Sequence, residues 1–251
     1  MIVRATLKAN AGRALAVLPC VCGVVSHTTL AATLQISPVM VDLRSNERAT
    51  GVTLRNPGEL PLYGQVRVFR WDQVHFDDTL TPTKELVASP PLIQIGAGGN
   101  QLVRLVRTSP ASTGTEQSYR IVIDELPSPR TDSANGVTIR LRYSVPVFVE
   151  PAGKVAAPVL SWHLGRDIKG WVLRVDNAGT RRAQIASVQV VDSAGKIHEI
   201  SKGLLGYALA GRARQWQVSL PADAILRGEV KVRAAVNSMP LEAVATVAPP
   251  G

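Results

Sequence analysis

The sequence predicts an all-β chain built as two sandwich domains. Apolar residues recur with a period of two from Leu34 onward, and no long window carries a helical period. The alternating runs are short and separated by roughly ten residues, the spacing of a Greek-key sandwich. Twenty Gly and seventeen Pro lie scattered between the runs, which suits many turns. The 251 residues are 45% apolar and 19% charged, enough to fill two cores and too apolar for a disordered polyelectrolyte.

The first segment reads as an export signal. Arg4, Lys8 and Arg13 precede the apolar run Ala14 to Val25, which is too short to span a bilayer, and Leu30-Ala31-Ala32 supplies a small-residue end. The expected division is a cleaved signal peptide at 1–32, a first domain at 33–151 and a second at 152–251. Both cysteines, Cys20 and Cys22, fall in the signal. The exported chain is therefore expected to hold no disulfide, no thiol nucleophile and no cysteine metal site. Loss of the three leader cations leaves 25 Lys and Arg against 19 Asp and Glu, a formal charge of +6 rather than +9. In an exported protein that charge suits anionic groups on a partner protein, or plain solubility, rather than nucleic acid. No later segment is long and apolar enough to cross a membrane as a helix, so no stable membrane insertion is expected.

The runs follow in order. Leu34 to Leu43 is a first strand broken at Pro38. Thr50 to Arg55 alternates and ends at the turn signature Asn56-Pro57-Gly58, and Tyr63 to Trp71 follows it. The hydrophilic stretch Asp77 to Thr83 is expected to be a loop. Leu92 to Ile95, Gln101 to Val106 and Tyr119 to Leu126 are short strands, and Val137 to Val149 is the longest of this half. Pro151-Ala152-Gly153 marks a linker. Beyond it, Val159 to Leu164, Trp171 to Val175, Gln184 to Val191, Lys196 to Ile200, Gln215 to Leu220 and Glu229 to Val236 make a second series. The halves echo each other. Strands ending in Asn56-Pro57-Gly58 and Asn177-Ala178-Gly179 are each followed by a returning strand, with Asn and Gly suited to positive-φ positions of a hairpin turn.

Catalytic signatures are missing. His75, His163 and His198 have no metal-ligand spacing, and structural or surface roles are expected for them. No nucleophile elbow, P-loop or dinucleotide glycine pattern occurs. Asp124 and Glu125 are adjacent on a strand, so they face opposite ways and cannot act as an acid/base pair. Gly96-Ala97-Gly98-Gly99 joins two strands as a hairpin loop rather than opening a helix. The chain is expected not to be an enzyme and to need no cofactor or metal.

Val137 to Val149 stands apart. One parity reads Val137, Ile139, Leu141, Tyr143, Val145, Val147 and Val149; the other reads Thr138, Arg140, Arg142, Ser144, Pro146 and Phe148. The first face is unbroken and apolar over more than the usual five or so residues of a strand. The second is expected to face water. An ordinary core strand also alternates; the length and the flexible run Ser128 to Gly136 before it set this one apart. At a sheet edge such a strand invites foreign pairing unless a partner uses it, and strand addition is one such use.

At this point the chain resembles the periplasmic chaperones of chaperone–usher pilus assembly, the PapD-like family. The residues that carry the resemblance are Ile36-Ser37-Pro38-Val39-Met40-Val41, Asn56, Ala88-Ser89-Pro90-Pro91, Leu102-Val103-Arg104-Leu105, Glu116 to Pro127 with Tyr119-Arg120 and Glu125-Leu126-Pro127, and the long strand ending Val147-Phe148-Val149-Glu150-Pro151. Tyr119-Arg120 and Ser144 to Phe148 look more like the archaic branch, whose subunits carry spore-coat-U-like domains.

The resemblance implies two immunoglobulin-like β-sandwich domains in a boomerang arrangement. It implies a periplasmic binding protein that lends its strand to fimbrial subunits (donor-strand complementation) and delivers them to an outer-membrane usher. Val137, Ile139 and Leu141 match the donor positions, and Tyr143 adds a fourth. The Pro90-Pro91 step resembles a site of a cis peptide, and Asn56 is structural. Other members bind the subunit's terminal carboxylate with an Arg in the first strand and a Lys in the donor strand; the matching positions here hold Met40 and Pro146, and neither can do so. Arg120 is the first substitute, with Arg104 and Arg142 behind it, because a guanidinium presents a fork of donors to a carboxylate. The alternative reading is a structural or adhesive sandwich protein of a surface fibre.

Overall fold

The computed structural model describes residues 34–108, 114–129, 139–153, 155–221 and 226–248. The proposed leader 1–32 and Val137 lie outside them. Among the described residues there are seventeen strands and no helix.

The strand expected at Leu34 to Leu43 divides at Pro38 between two sheets. β1 (Gln35–Ser37) pairs antiparallel with β3 (Ala49–Arg55), and β3 pairs with β8 (Asn100–Arg107), which pairs with β6 (Leu86–Ser89). β2 (Val41–Leu43) instead lies parallel to β10 (Arg142–Val149) in the facing sheet. That sheet continues through β9 (Gln117–Leu126) and β4 (Leu62–Val74) to β5 (Asp77–Pro82), with β7 (Leu92–Ile95) also on β4. The Ser37-Pro38 peptide is cis, and so is Ser89-Pro90, one bond before the Pro90-Pro91 step expected from the sequence. Leu43, Leu54, Leu105, Ile121 and Val147 fill the space between the two sheets.

The second half makes a sheet of its own. β11 (Leu160–Asp167), β12 (Gly170–Asn177), β13 (Ala183–Val191), β14 (Ile197–Ala208), β15 (Arg212–Val218), β16 (Glu229–Val236) and β17 (Met239–Val247) pair in the order β14-β13-β16-β17-β11-β12-β15. The sheet curls around Trp162, Leu173, Ile185, Val190 and Val232. Its two ends meet where the Trp216 ring lies against Gly206. β6 and β17 carry no expectation from the sequence, and β14 runs well beyond Ile200; backbone pairing with long neighbours extends strands whose own pattern is weak.

The internal echo is present, but it is not a pair of hairpins. β3 and β4 do not pair with each other, nor do β12 and β13; the first Asn-x-Gly segment carries the chain from one sheet to the other, and the second crosses between strands four places apart in one curled sheet. Neither Gly58 nor Gly179 has a positive φ. The asparagines act through their side chains. Asn56 Nδ2 donates to the carbonyls of Leu60 (2.7 Å) and Ile95 (3.1 Å), and its Oδ1 accepts from Gly58 N at 3.0 Å. Asn177 repeats this with the carbonyls of Arg181 (2.8 Å) and Ala208 (3.0 Å) and with Gly179 N (3.0 Å). Each amide satisfies backbone groups that the layer crossing would leave unpaired, and an unpaired buried polar group is costly. Gly179 is needed for space: a Cβ there would sit 2.8 Å from Val159 N and 3.0 Å from Pro158 Cα. Those are backbone atoms, so Gly179→Ala is expected to lower unfolding stability by about 1–3 kcal/mol, read by urea denaturation. An unchanged midpoint would show that the crossing has slack. The run Gly96 to Gly99 is likewise no hairpin; it joins β7 to β8 in the other sheet, closed by a Gly99 N to Gly96 O bond of 3.0 Å.

The expected loop at Asp77 to Thr83 is strand β5. Val74 pairs with Asp77 across a two-residue turn, His75 (φ 51°) and Phe76 (φ 65°), both left-handed as a tight twisted hairpin requires. Its polar composition hid it, because the hairpin reaches to β15 through polar groups rather than into a core. The Phe76 carbonyl accepts from Gln215 N (3.2 Å) and Arg214 Nη1 (2.6 Å), and Asp77 lies 2.8 Å from Arg214.

Candidate functional site

The long strand is shorter than its pattern. Regular pairing in β10 starts at Arg142; Ile139 and Leu141 precede it as exposed apolar side chains, 75% and 38% accessible. The backbone of Leu141 is held loosely to Glu125, whose N–H donates to the Leu141 carbonyl at 3.1 Å. On one side β10 pairs along its whole length with β9. On the other side β2 covers only Val147 to Val149. The edge from Arg142 to Pro146 has no neighbouring strand among the described residues.

From residue 143 onward the apolar row turns inward. Val145, Val147 and Val149 belong to the first core, and Tyr143 packs on it. Tyr143 Oη accepts from Leu34 N at 3.0 Å and donates to Glu125 at 3.1 Å. Tyr143 therefore serves its own domain rather than continuing the exposed row. The opposite parity, expected to face water, does so only at its start. Phe148 is fully buried, and Pro146 lines a cleft. The second half of the chain covers this end of the sheet.

That joint is built from both halves. Trp71 of β4, Phe148 of β10 and Tyr207 of β14 form an aromatic triad with centroids 5.4 to 5.8 Å apart, backed by Leu209 and Met40. The Gln73 amide bonds to the β14 end as a backbone would: Nε2 donates to Tyr207 O at 2.8 Å, and Oε1 accepts from Leu209 N at 2.9 Å. Arg182 donates to Glu116 (2.6 Å) and Asp42 (2.7 Å) and lies 3.7 Å from the Phe148 ring centroid. Burial pushes the Glu116 carboxyl above its usual range, and Arg182 draws it back. Nearer the surface, Arg212 meets Asp72 at 2.5 Å; burial opposes ionisation of Asp72 most strongly, but the hydrogen bonds from Arg212 and the Gln73 backbone and the charges of Arg212 and Arg70 together outweigh it and leave the carboxyl below its usual range.

Beside the triad opens a cleft of about 630 Å³, with Met40, Arg120 and Pro146 on one wall and Leu204, Tyr207 and Trp216 on the other. Arg120 stands directly across from Pro146 in the β9–β10 ladder. Residues opposite one another in antiparallel strands share a face. Arg120 thus supplies a cation one strand away from Pro146, where the resemblance expected a lysine. Its guanidinium is stacked 3.7 Å from the Trp71 ring centroid and 5.8 Å from that of Tyr207. Among the described residues it has no carboxylate within ion-pairing distance. Burial lowers its pKa while Asp78 opposes this, and the group keeps its proton at neutral pH.

Residues 33–154 match the family of pili and flagellar-assembly chaperones, PapD N-terminal domain. The first half of the chain belongs to the pilus-assembly chaperone family, and the chain as a whole shares the fold of chaperone–usher chaperones. Among solved structures, this chaperone is similar to a chain of the CsuC–CsuE chaperone–tip adhesion subunit pre-assembly complex from archaic chaperone–usher Csu pili of Acinetobacter baumannii, at 26% identity and a TM-score of 0.66, covering 87% of this chain and 100% of that one. It shares its fold with the E. coli chaperone DraB (19% identity, TM-score 0.57, 84% and 96% covered). It also shares it with a chain of the Salmonella enterica SafA pilin–SafB chaperone complex (19%, 0.58, 86% and 95%). No curated protein sequence matches it. The family and its structural neighbours are chaperones, not enzymes.

The remaining anchor candidates of this chaperone stand elsewhere. Arg104 projects from β8 in the other sheet, opposite Gly51 and Ser89, and is exposed. Arg142 begins β10, away from the cleft, and pairs with Asp124, which also holds Arg67 at 2.6 Å. Neither lines the cleft. His163 and His198 pair with Asp176 (3.0 Å) and Asp192 (2.7 Å), and His75 sits in the β4–β5 turn. Arg182, Tyr207, Arg214 and Trp216 carry no functional expectation from the sequence. Their partners lie far along the chain, and no local spacing marks them.

Proposed function

We propose that this chaperone binds pilus subunits in the periplasm by donor-strand complementation and passes them to an outer-membrane usher. The observation that carries the reading is the open edge of β10, preceded by the exposed side chains of Ile139 and Leu141. An extended segment with apolar side chains and an unpaired edge is what strand addition uses. Val137 extends the same parity. Each aliphatic side chain so buried contributes about 1.5–3 kcal/mol. Arg120 anchors the subunit's terminal carboxylate in place of bases at Met40 and Pro146. Export through a leader at 1–32 and a two-domain division at 33–151 and 152–251 complete the proposal; the change of sheet between Val149 and Leu160 supports the second boundary. Together with Tyr119-Arg120, likeness to a chain of an archaic Csu complex favours spore-coat-U-like subunits as partners.

Co-expression with candidate subunits and pull-down from periplasmic extract tests the reading. Arg120→Ala is expected to cut subunit recovery at least tenfold, since a charge-assisted hydrogen bond is worth about 1.5–3 kcal/mol. Recovery equal to wild type would remove Arg120 as the anchor, and recovery of no subunit by the wild-type protein would remove the function.

A further inference from the structure

The walls of the cleft around Arg120 are apolar in a way that the fold does not need. Val39 is 76% exposed and Leu204 is 53% exposed, yet both line the same cavity from opposite halves of the chain. Leu204 belongs to β14 and Val39 to the crossing between β1 and β2, so neither is required by a core. Trp216 adds a flat wall. Its ring lies so close to Gly206 that a Cβ there would be 2.7 Å from its Nε1. Asp78 is the one carboxylate among the residues lining this cavity, and it is held by Gln73 Nε2 at 3.0 Å and Arg214 at 3.6 Å. A free cation on one wall, apolar side chains beside it and a resident carboxylate describe a site for one negative group carried next to an apolar one. A second acid would meet Asp78.

We propose that the second half of this chaperone reads the last side chain of the bound subunit. The terminal residue places its α-carboxylate on Arg120 and lodges an apolar side chain between Val39 and the wall of Leu204 and Trp216. A small polar terminal residue loses the apolar contact, and an acidic one is repelled by Asp78. The proposal rests on the carboxylate-anchoring reading of Arg120 and adds a choice among subunits, made by residues outside the lent strand.

The test uses the full chaperone and fluorescein-labelled hexapeptides of one sequence that end in Leu, Phe, Ser or Asp, with the Leu peptide also made as its C-terminal amide. Binding is read by fluorescence polarisation. The Leu and Phe acids are expected to bind about tenfold more tightly than the Ser peptide, the yield of burying one aliphatic side chain, with Asp weaker still. Leu204→Ser and Val39→Ser alter exposed side chains and are expected to fold normally and to flatten the Leu-over-Ser preference. If acid is favoured over amide but the last side chain makes no difference, or if Leu204→Ser leaves the preference intact, this proposal fails and the Arg120 anchor stands. Equal binding of acid and amide, or no binding at millimolar peptide, overturns both.

Discussion

Joint replacement of Ile139 by Asp and Leu141 by Lys is expected to abolish recovery of a bound subunit while the free chaperone folds as before. The two side chains precede the regular part of β10 and are exposed, so the fold gains little from them. Surface changes of this kind shift stability by about 0.5 kcal/mol or less. In a complex the same side chains would enter an apolar groove. Two aliphatic contacts at about 1.5–3 kcal/mol each correspond to roughly a hundredfold to ten-thousandfold in affinity. Placing charges in that groove adds a desolvation cost. Lys suits position 141 because Glu125 Oε2 lies 3.3 Å from its backbone nitrogen, and an acid there would be repelled. Pull-down from periplasmic extract reads the loss, and urea denaturation reads the fold. Normal subunit yield from the double variant would sink strand lending by this segment, and an unfolded variant would show that the segment serves its own domain.

Glu116→Ala is expected to cost about 3–5 kcal/mol of unfolding stability, the range seen when one partner of a buried ion pair is removed. The Glu116 side chain is fully buried and that of Arg182 is 4% exposed. One carboxylate receives both the guanidinium at 2.6 Å and the Arg182 backbone N–H at 3.0 Å. Asp42 meets the other end of the guanidinium but is itself 40% exposed and cannot replace the contact. Removing Glu116 thus leaves a buried charge half satisfied and a buried N–H without its acceptor. The double variant Glu116→Leu with Arg182→Leu is expected to lose less than the single, since no unpaired charge remains. Urea denaturation of the three proteins makes the comparison. A single-variant cost below about 1 kcal/mol would place this pair with ordinary exposed bridges. Because Glu116 precedes β9 and Arg182 precedes β13, the same change is expected to loosen the joint that shapes the cleft.

Much of the fold was legible because β-structure writes its period into the chain. The strands from Thr50, Tyr63, Tyr119, Trp171, Gln184 and Glu229 match regular elements, since one face of each is buried and alternation records it. The stretches that escaped lack that record. β5 is polar on both faces because it meets other polar groups at β15, and β17 carries a proline at its start. The Asn-x-Gly segments were recognisable as turns, but whether the next strand paired back or crossed to the other layer depended on contacts more than thirty residues away, such as Asn56 to Ile95.

The candidate site divides the same way. The all-β class and the apolar parity through Ile139 and Leu141 are readable from the chain alone, because residue type and spacing record them; that Met40 and Pro146 stand where bases are expected follows from the family resemblance. The folded molecule alone shows where β10 stops being an open edge, that Tyr143 turns inward, that Arg104 and Arg142 lie away from the cleft, and that Arg120 stands across from Pro146 against Trp71. Pairing register and the packing of one half on the other set those facts. Both arise from contacts between residues far apart in the chain, which no local pattern encodes.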